Sequence, residues 1–361
     1  FASSHVSAAD IGPVADSEMG CTVLFDGEIS EGDLERLQEA IERNYNGDGF
    51  GDPPIICLNS LGGNMLEGIQ IADWIFNSRD YFAFGTAIPS GATCVSACAI
   101  IFMAGRKGGN AGAGPGSFRL LHPTGNLGFH GPGLPLISRD NNYTAEQLLQ
   151  VFEAATDAAA ALTALTQQDY SGLRIFPTDL LEVVLGTAPE NMHYVRTVGE
   201  AAAWNISIWP VNRRPIGDGH DLTANAIFNL DAALRQERNF SERSTDELFS
   251  EVLPYQQIRC EYVDMFSSGR SRSIVFTQPF GQGQYTHQLF FRPDNLHGRE
   301  FVELRADLRA GSTWRSLPEA SYFFFHPDTP IRTLFDDQFG GHVLSGYRIA
   351  EDIIAVSPAC R

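Results

Sequence analysis

Between residues 21 and 104, short apolar runs alternate with stretches whose apolar residues recur every three or four positions. The runs 21–25, 55–58 and 82–87 are predicted strands, too short for helices and bounded by polar or glycine-containing segments. Leu34, Leu37 and Ile41 set a helical face behind a cap at Ser30, residues 65–76 form a second helix, and residues 94–104 read as one apolar helix. Strands separated by helices in this order predict an α/β fold with a parallel sheet and right-handed crossovers. Residues 46–54, and 107–118 with their five glycines, are loops. A long helix over 144–168 starts from a capping box of Thr144 and Gln147, with Leu148, Leu149, Phe152, Leu162 and Leu165 as its buried face.

Past Pro215 the pattern changes. Helices are predicted over 224–235 and 245–253, followed by short aromatic strands at 273–277, 285–291, 300–306 and 321–325. The organisation expected is a tail over 1–18, an α/β domain over 19–215, and a smaller β-rich (α+β) domain over 216–361.

Composition narrows the function. With 43% hydrophobic and 19% charged residues, the 361-residue chain can bury a substantial core, and no apolar run reaches the roughly 18 residues of a membrane span. Its 44 acidic against 25 basic residues, a net charge of −19, argue against nucleic acid and anionic membrane as partners. Lys107 is the sole lysine, so a lysine general base has one candidate.

The six cysteines include no CxxC pair, and no metal or cofactor is expected. Cys94 and Cys98 sit four apart on the predicted helix, a placement awkward for a disulfide, whereas Cys260 and Cys360 could join the ends of the C-terminal region. The start Phe1-Ala2-Ser3-Ser4 fits a mature chain after signal-peptide removal, hence a periplasmic or extracellular location. Asp218-Gly219-His220-Asp221 reads as a linker turn, and the sequons at Asn142, Asn205 and Asn239 as chance matches.

Three segments could carry chemistry. Asn59-Ser60-Leu61-Gly62-Gly63 ends a buried strand with two glycines whose N–H groups no side chain would cover, suited to a developing oxyanion. Around Ser96, small residues crowd a strand-to-helix junction, where free helix N–H groups would suit a serine nucleophile. His130 closes the short apolar stretch 126–129, and a histidine brought to Ser96 could act as its base.

Together these segments resemble the Clp protease proteolytic subunit over about residues 20–208. Leu61 stands where that family's asparagine-serine-proline-glycine-glycine element has proline. Ser96 lies nine residues before the glycine of Ala104-Gly105, and His130 seven after Pro123, spacings like those of the family's serine and histidine. His122 lies seven after Pro115 and is a rival, although Leu127-Gly128-Phe129-His130 looks more like the strand-borne histidine of exported relatives. The helix over 144–168 occupies the place of the family's handle helix, and Gly199-Glu200-Ala201-Ala202 resembles the segment before the family's domain end.

The resemblance implies a crotonase-like fold and peptide-bond hydrolysis through an acyl-enzyme on Ser96, with His130 as base. It further implies an oxyanion hole from the N–H of Ala97 and of Gly62 or Gly63, a peptide or protein substrate, and a homo-oligomer. The family's triad acid falls near Ala188, so Glu190 or Asn191 would have to serve as third member. Two related chemistries are weaker matches: a serine–lysine dyad would need Lys107, and acyl-CoA hydratases of the same fold need neither Ser96 nor His130. A catalytically weak or inactive chain acting as a binding or assembly module is the alternative.

Overall fold

The computed structural model describes residues 9–14, 18–45, 53–78, 83–108, 116–132, 144–170, 173–188, 190–217, 219–235, 257–264, 270–280, 283–293, 300–308, 311–317, 321–339, 343–344 and 349, of which 257–317 are described by backbone only. The chain divides into two compact units, Phe1–Gly105 with Gly125–Val195 and Arg106–Thr124 with Arg196–Arg361.

The first unit opens with β1 (Asp10–Pro13), β2 (Val23–Asp26), α1 (Asp33–Asn44), β3 (Ile55–Asn59), α2 (Met65–Asn77), β4 (Gly85–Ile88), β5 (Thr93–Val95) and α3 (Ala97–Met103). The chain then contributes β6 (Arg106–Lys107), β7 (Gly116–Ser117) and β8 (Arg119–Leu121) to the second unit. It continues in the first with β9 (Asn126–Phe129), α4 (Ala145–Gln167), β10 (Asp169–Tyr170), β11 (Leu173–Arg174), α5 (Thr178–Gly186) and β12 (His193–Tyr194).

Strands β2, β3 and β4 pair in parallel, with Phe25 opposite Leu58 and Ile56 opposite Thr86. Ile55, Ile56, Cys57 and Leu58 are all fully buried, as a parallel strand covered on both faces requires. The fold is therefore mixed α/β with a parallel sheet at the core of this unit. Antiparallel to β2 lies β1, so residues 10–13 belong to the sheet and not to a tail. Positive φ at Gly27 matters for that pairing, because a Cβ there would sit 3.1 Å from the Ala9 Cα.

Four local expectations are corrected. Ser30 does not cap α1: its N–H is held by Asp33 Oδ2, and Glu67 reaches across from α2 to accept the Leu34 N–H at 2.8 Å. Residues 94–104 are not one helix, because strand β5 runs through Cys94 and Val95 and the chain turns at Ser96 before α3 begins. Cys94 and Cys98 therefore lie on opposite sides of a turn, and they form a disulfide, as do Cys21 and Cys57. In α4 the capping box is present, but only Leu162 and Leu165 of the predicted buried face are buried; Leu148, Leu149 and Phe152 are exposed. That helix also has the length and mean hydropathy of a membrane span, which the sequence reading did not anticipate, with 18% of its apolar window buried. The burial of Leu162 and Leu165 fits a helix docked on a core.

The second unit continues through α6 (Val198–Ala203), β13 (Ser207–Ile208) and α7 (Gly219–Arg235), with β8 and β13 paired in parallel. Five strands follow as an antiparallel meander: β14 (Gln257–Asp264), β15 (Arg270–Phe280), β16 (Gly283–Pro293), β17 (Glu300–Leu308) and β18 (Gly311–Leu317). The predicted helix 245–253 and the Cys260–Cys360 pairing lie outside the described residues. Ser321–Phe324 is a 3₁₀ turn where a strand was predicted. The carbonyls of Phe323 and Phe325 accept from Asn229 and that of Phe324 from Asn225, so α7 side chains satisfy groups a strand partner would otherwise take.

Burial in this unit sets an acid response. His122 is fully buried, with its Nδ1 accepting the Thr124 N–H at 3.1 Å and its ring edge-on to Phe335. Burial lowers its pKa to about 4, a fall that the nearby charge of Asp337 partly opposes. The unfolded chain, with an ordinary histidine near pH 6.5, takes up the proton first. Stability is therefore intact above about pH 6.5 and falls as pH drops toward 4, by roughly 3 kcal/mol at full effect. Thermal unfolding across that range should show the loss in the native protein and a flatter profile in His122→Phe.

Candidate active site

The Asn59–Gly63 segment is fastened at both ends. Ser60 donates its N–H to Thr93 O at 2.7 Å and accepts the Val95 N–H at 3.1 Å, which joins the end of β3 to β5. Asn59 Oδ1 accepts the Thr93 N–H while its amide donates to Asp26, and Asn126 donates to the Thr93 hydroxyl. One polar network thus aligns β2, β3, β5 and β9, a role for Asn59 that the sequence reading missed although its motif contains the residue.

The two glycines then differ. The Gly62 N–H is taken by the Ser60 hydroxyl at 3.1 Å. Gly63 sits in a bridge with Ile29, whose N–H and carbonyl bond to Gly62 O and Asn64 N, leaving the Gly63 N–H without a hydrogen-bond partner among the described residues. Asn64 immediately caps α2 by accepting from Leu66 and Glu67. A Cβ at Gly62 would stand 2.7 Å from the Ser96 Cβ and 3.1 Å from its Oγ, so Gly62 and Ser96 lie in direct contact.

Ser96 occupies φ 60°, ψ −128°, a region that non-glycine residues adopt at a cost of about 1–3 kcal/mol and that recurs where function requires it. Ser96 thus stands on a strand-to-helix turn, between β5 and α3, with its side chain against Gly62. Its N–H donates to Gly128 O at 3.1 Å. The next residue, Ala97, opens α3 with an N–H that has no partner among the described residues, as expected of a first helical turn. Gly68 of α2 permits this close approach: a Cβ there would be 3.1 Å from the Ala97 Cβ.

Strands β5 and β9 run in parallel with Val95 opposite Gly128, so the register carries Ser96 abreast of Phe129 and places His130 one residue beyond. Half-buried His130 has its Nδ1 2.7 Å from the Gly131 carbonyl. A carbonyl only accepts, so Nδ1 carries the proton and Nε2 keeps the lone pair that a base needs. Gly131 is itself anchored by its N–H to Thr187 O at 2.8 Å, at the end of α5.

Asn191 is exposed, its N–H closing a turn on Ala188 O at 2.8 Å, and its side chain makes no hydrogen bond among the described residues. Exposed Glu190 likewise makes none. The atom that holds the His130 ring is thus a backbone carbonyl of the next residue, which residue types alone could not reveal. His122 and Lys107 both belong to the second unit, where both are buried. The Nδ1 lone pair of His122 is already occupied by Thr124, which makes it the poorer base. Among the described residues no group of three His, Cys, Asp or Glu side chains could hold a metal.

No family model and no curated protein matches the chain. Among solved structures, the Clp protease (ClpP) catalytic domain from Plasmodium falciparum is 19% identical and covers 54% of this chain and 87% of its own, with a TM-score of 0.35. ClpP1 from Listeria monocytogenes is 20% identical over 50% of this chain and 85% of its own, at a TM-score of 0.31. A peptidase from Plasmodium falciparum is 14% identical over 50% and 90% of the two chains, also at 0.31. The chain is thus similar to these protease structures over about half its length.

Proposed function

We propose that the chain is a serine peptidase-like hydrolase that cleaves peptide bonds through an acyl-enzyme on Ser96. The observation that carries this reading is the backbone of Ser96, held at positive φ on a strand-to-helix turn and packed against Gly62. Strain of that kind is retained where it positions a reacting group.

His130 Nε2 takes the Ser96 hydroxyl proton as Oγ attacks the substrate carbonyl. The Gly131 carbonyl holds the imidazole in the required tautomer, in place of the carboxylate of a full triad. The N–H groups of Gly63 and Ala97 stabilise the oxyanion; Gly62 is the lesser candidate because its N–H is already bonded. His130 then protonates the leaving amine, and water hydrolyses the acyl-enzyme by the reverse proton path. A neutral carbonyl stabilises the imidazolium less than a carboxylate, which points to slow turnover. The Cys21–Cys57 and Cys94–Cys98 disulfides support an exported protein in an oxidising compartment, and the sequence resemblance supports a homo-oligomer acting on peptides or proteins.

Fluorophosphonate labelling tests the reading. One covalent adduct is expected, mapped by mass spectrometry to the peptide containing Ser96. A folded protein that stays unlabelled would replace this reading with the second one, a catalytically inactive binding or assembly module. The absence of any side-chain carboxylate bonded to His130 among the described residues is the observation that favours the second.

A further inference from the structure

Cys94 and Cys98 stand two residues before and two after Ser96, joined by a disulfide that bridges the turn itself. Four residues of extended chain would separate their Cα atoms by roughly 13 Å; here the separation is 5.2 Å. Both cysteines are fully buried.

We propose that the Cys94–Cys98 disulfide is a positioning clamp for the nucleophile, holding Ser96 in its reactive backbone conformation. The inference rests on Ser96 being the nucleophile proposed above. Hydrogen bonds also hold the turn: Val95 donates to Ser60, Ser96 donates to Gly128, and Ala99 donates back to the Ser96 carbonyl. Rotation of Ser96 to an ordinary negative φ would redirect α3 relative to β5 and carry Cys98 away from Cys94. The covalent bond restrains that rotation in addition to the hydrogen bonds, because Cys98 cannot move away from Cys94 while it is intact. Without the bond, Ser96 relaxes, its Oγ leaves the face of Gly62, and the Ala97 N–H turns with it. The second disulfide, Cys21–Cys57, joins the entry of β2 to the middle of β3, two residues from the nearest site residue, Asn59, and spans no turn of the site. It serves as the internal control.

The test compares the fluorophosphonate reaction of the native protein, Cys94→Ala/Cys98→Ala and Cys21→Ala/Cys57→Ala, each with its thermal midpoint. The clamp variant should keep a cooperative transition and its half-saturating probe concentration while its maximal labelling rate falls 10- to 100-fold. The control variant should label within twofold of native. A clamp variant that labels at the native rate overturns the proposal, and so does an equal loss in both variants.

Reduction provides a second arm should the variant fail to fold. Dithiothreitol gives its two thiol hydrogens to the Cys94 and Cys98 sulfurs and closes its own ring disulfide, so two electrons pass and the atoms balance. Because the bond is buried, reduction is expected to be slow, and alkylation mapped by mass spectrometry identifies the protein in which this pair has opened. That protein should show the same fall in rate. Loss of the folded state in both arms would make the bond a requirement of folding and would also overturn the clamp.

If the native protein does not label at all, the hydrolase reading fails separately. Amide hydrogen exchange across residues 93–103 then decides the clamp: it must rise at least tenfold when the bond is removed, and unchanged exchange overturns it.

Discussion

Ser96→Ala is expected to abolish fluorophosphonate labelling, and His130→Ala to lower the labelling rate by about 10²–10⁴ with little change in thermal midpoint. The first effect follows from removing the only atom at this turn that can form the bond. The second follows from geometry: the pairing of β5 with β9 carries His130 one residue past the position abreast of Ser96, and the Gly131 carbonyl leaves its Nε2 free to accept a proton. His130 is only half-buried and, among the described residues, its side chain makes one hydrogen bond, to its own neighbour, so its loss removes a base and little packing. Rates measured with saturating probe separate the two variants. A His130→Ala protein that labels as fast as native would remove His130 from the mechanism, whereas His122→Ala should alter stability and leave the rate unchanged.

Gly63→Ala is expected to lower the stability of the first unit by about 3–5 kcal/mol, on the order of a 10 °C fall in thermal midpoint, and to eliminate labelling. At φ +138° an L-residue is already strained, and the new Cβ would lie 2.3 Å from Ile29 O and 2.8 Å from Ile29 N. Those are backbone atoms whose own bonds to Gly62 and Asn64 join the segment after β2 to the one after β3, so relief requires breaking that junction. That relaxation moves the Gly63 N–H from where an oxyanion would need it. Gly62→Ala meets a different obstacle, the Ser96 side chain itself, and should cost more reactivity than stability. Differential scanning calorimetry beside labelling distinguishes the two. A Gly63→Ala protein with a native midpoint would contradict the packing described here.

Much of this was legible without coordinates. The alternating strands and helices of the first unit, the capping box of the long helix, and the strands near 273–306 follow from local periodicity and side-chain chemistry. The pattern also marked Ser96, His130 and the glycine pair, because small residues, a histidine at a strand end and adjacent glycines are local signals. Local rules fail where a distant segment supplies what they place nearby. Ser30 lost its cap role because Glu67, on another helix, reached the Leu34 N–H. In the aromatic run 321–325, Ser321–Phe324 is a 3₁₀ turn, with Asn225 and Asn229 taking the carbonyls of Phe323, Phe324 and Phe325.

What the sequence by itself determined is therefore the class of each segment and the residue types available for chemistry: a mixed α/β unit, a β-rich region after it, one serine at a junction of small residues, and glycines where side chains would obstruct. The tertiary structure decided the rest. It split the apparent helix 94–104 at Ser96, so that two cysteines ill-placed for each other on a helix face across a turn and form a disulfide. It assigned the Gly62 N–H to Ser60, left that of Gly63 without a partner among the described residues, and gave the imidazole a backbone carbonyl where the sequence offered only Glu190 and Asn191. The physical reason is common to all of these. Periodicity and propensity report which face a segment buries, while backbone hydrogen-bond partners and a single residue's φ are fixed by strands and helices many residues away.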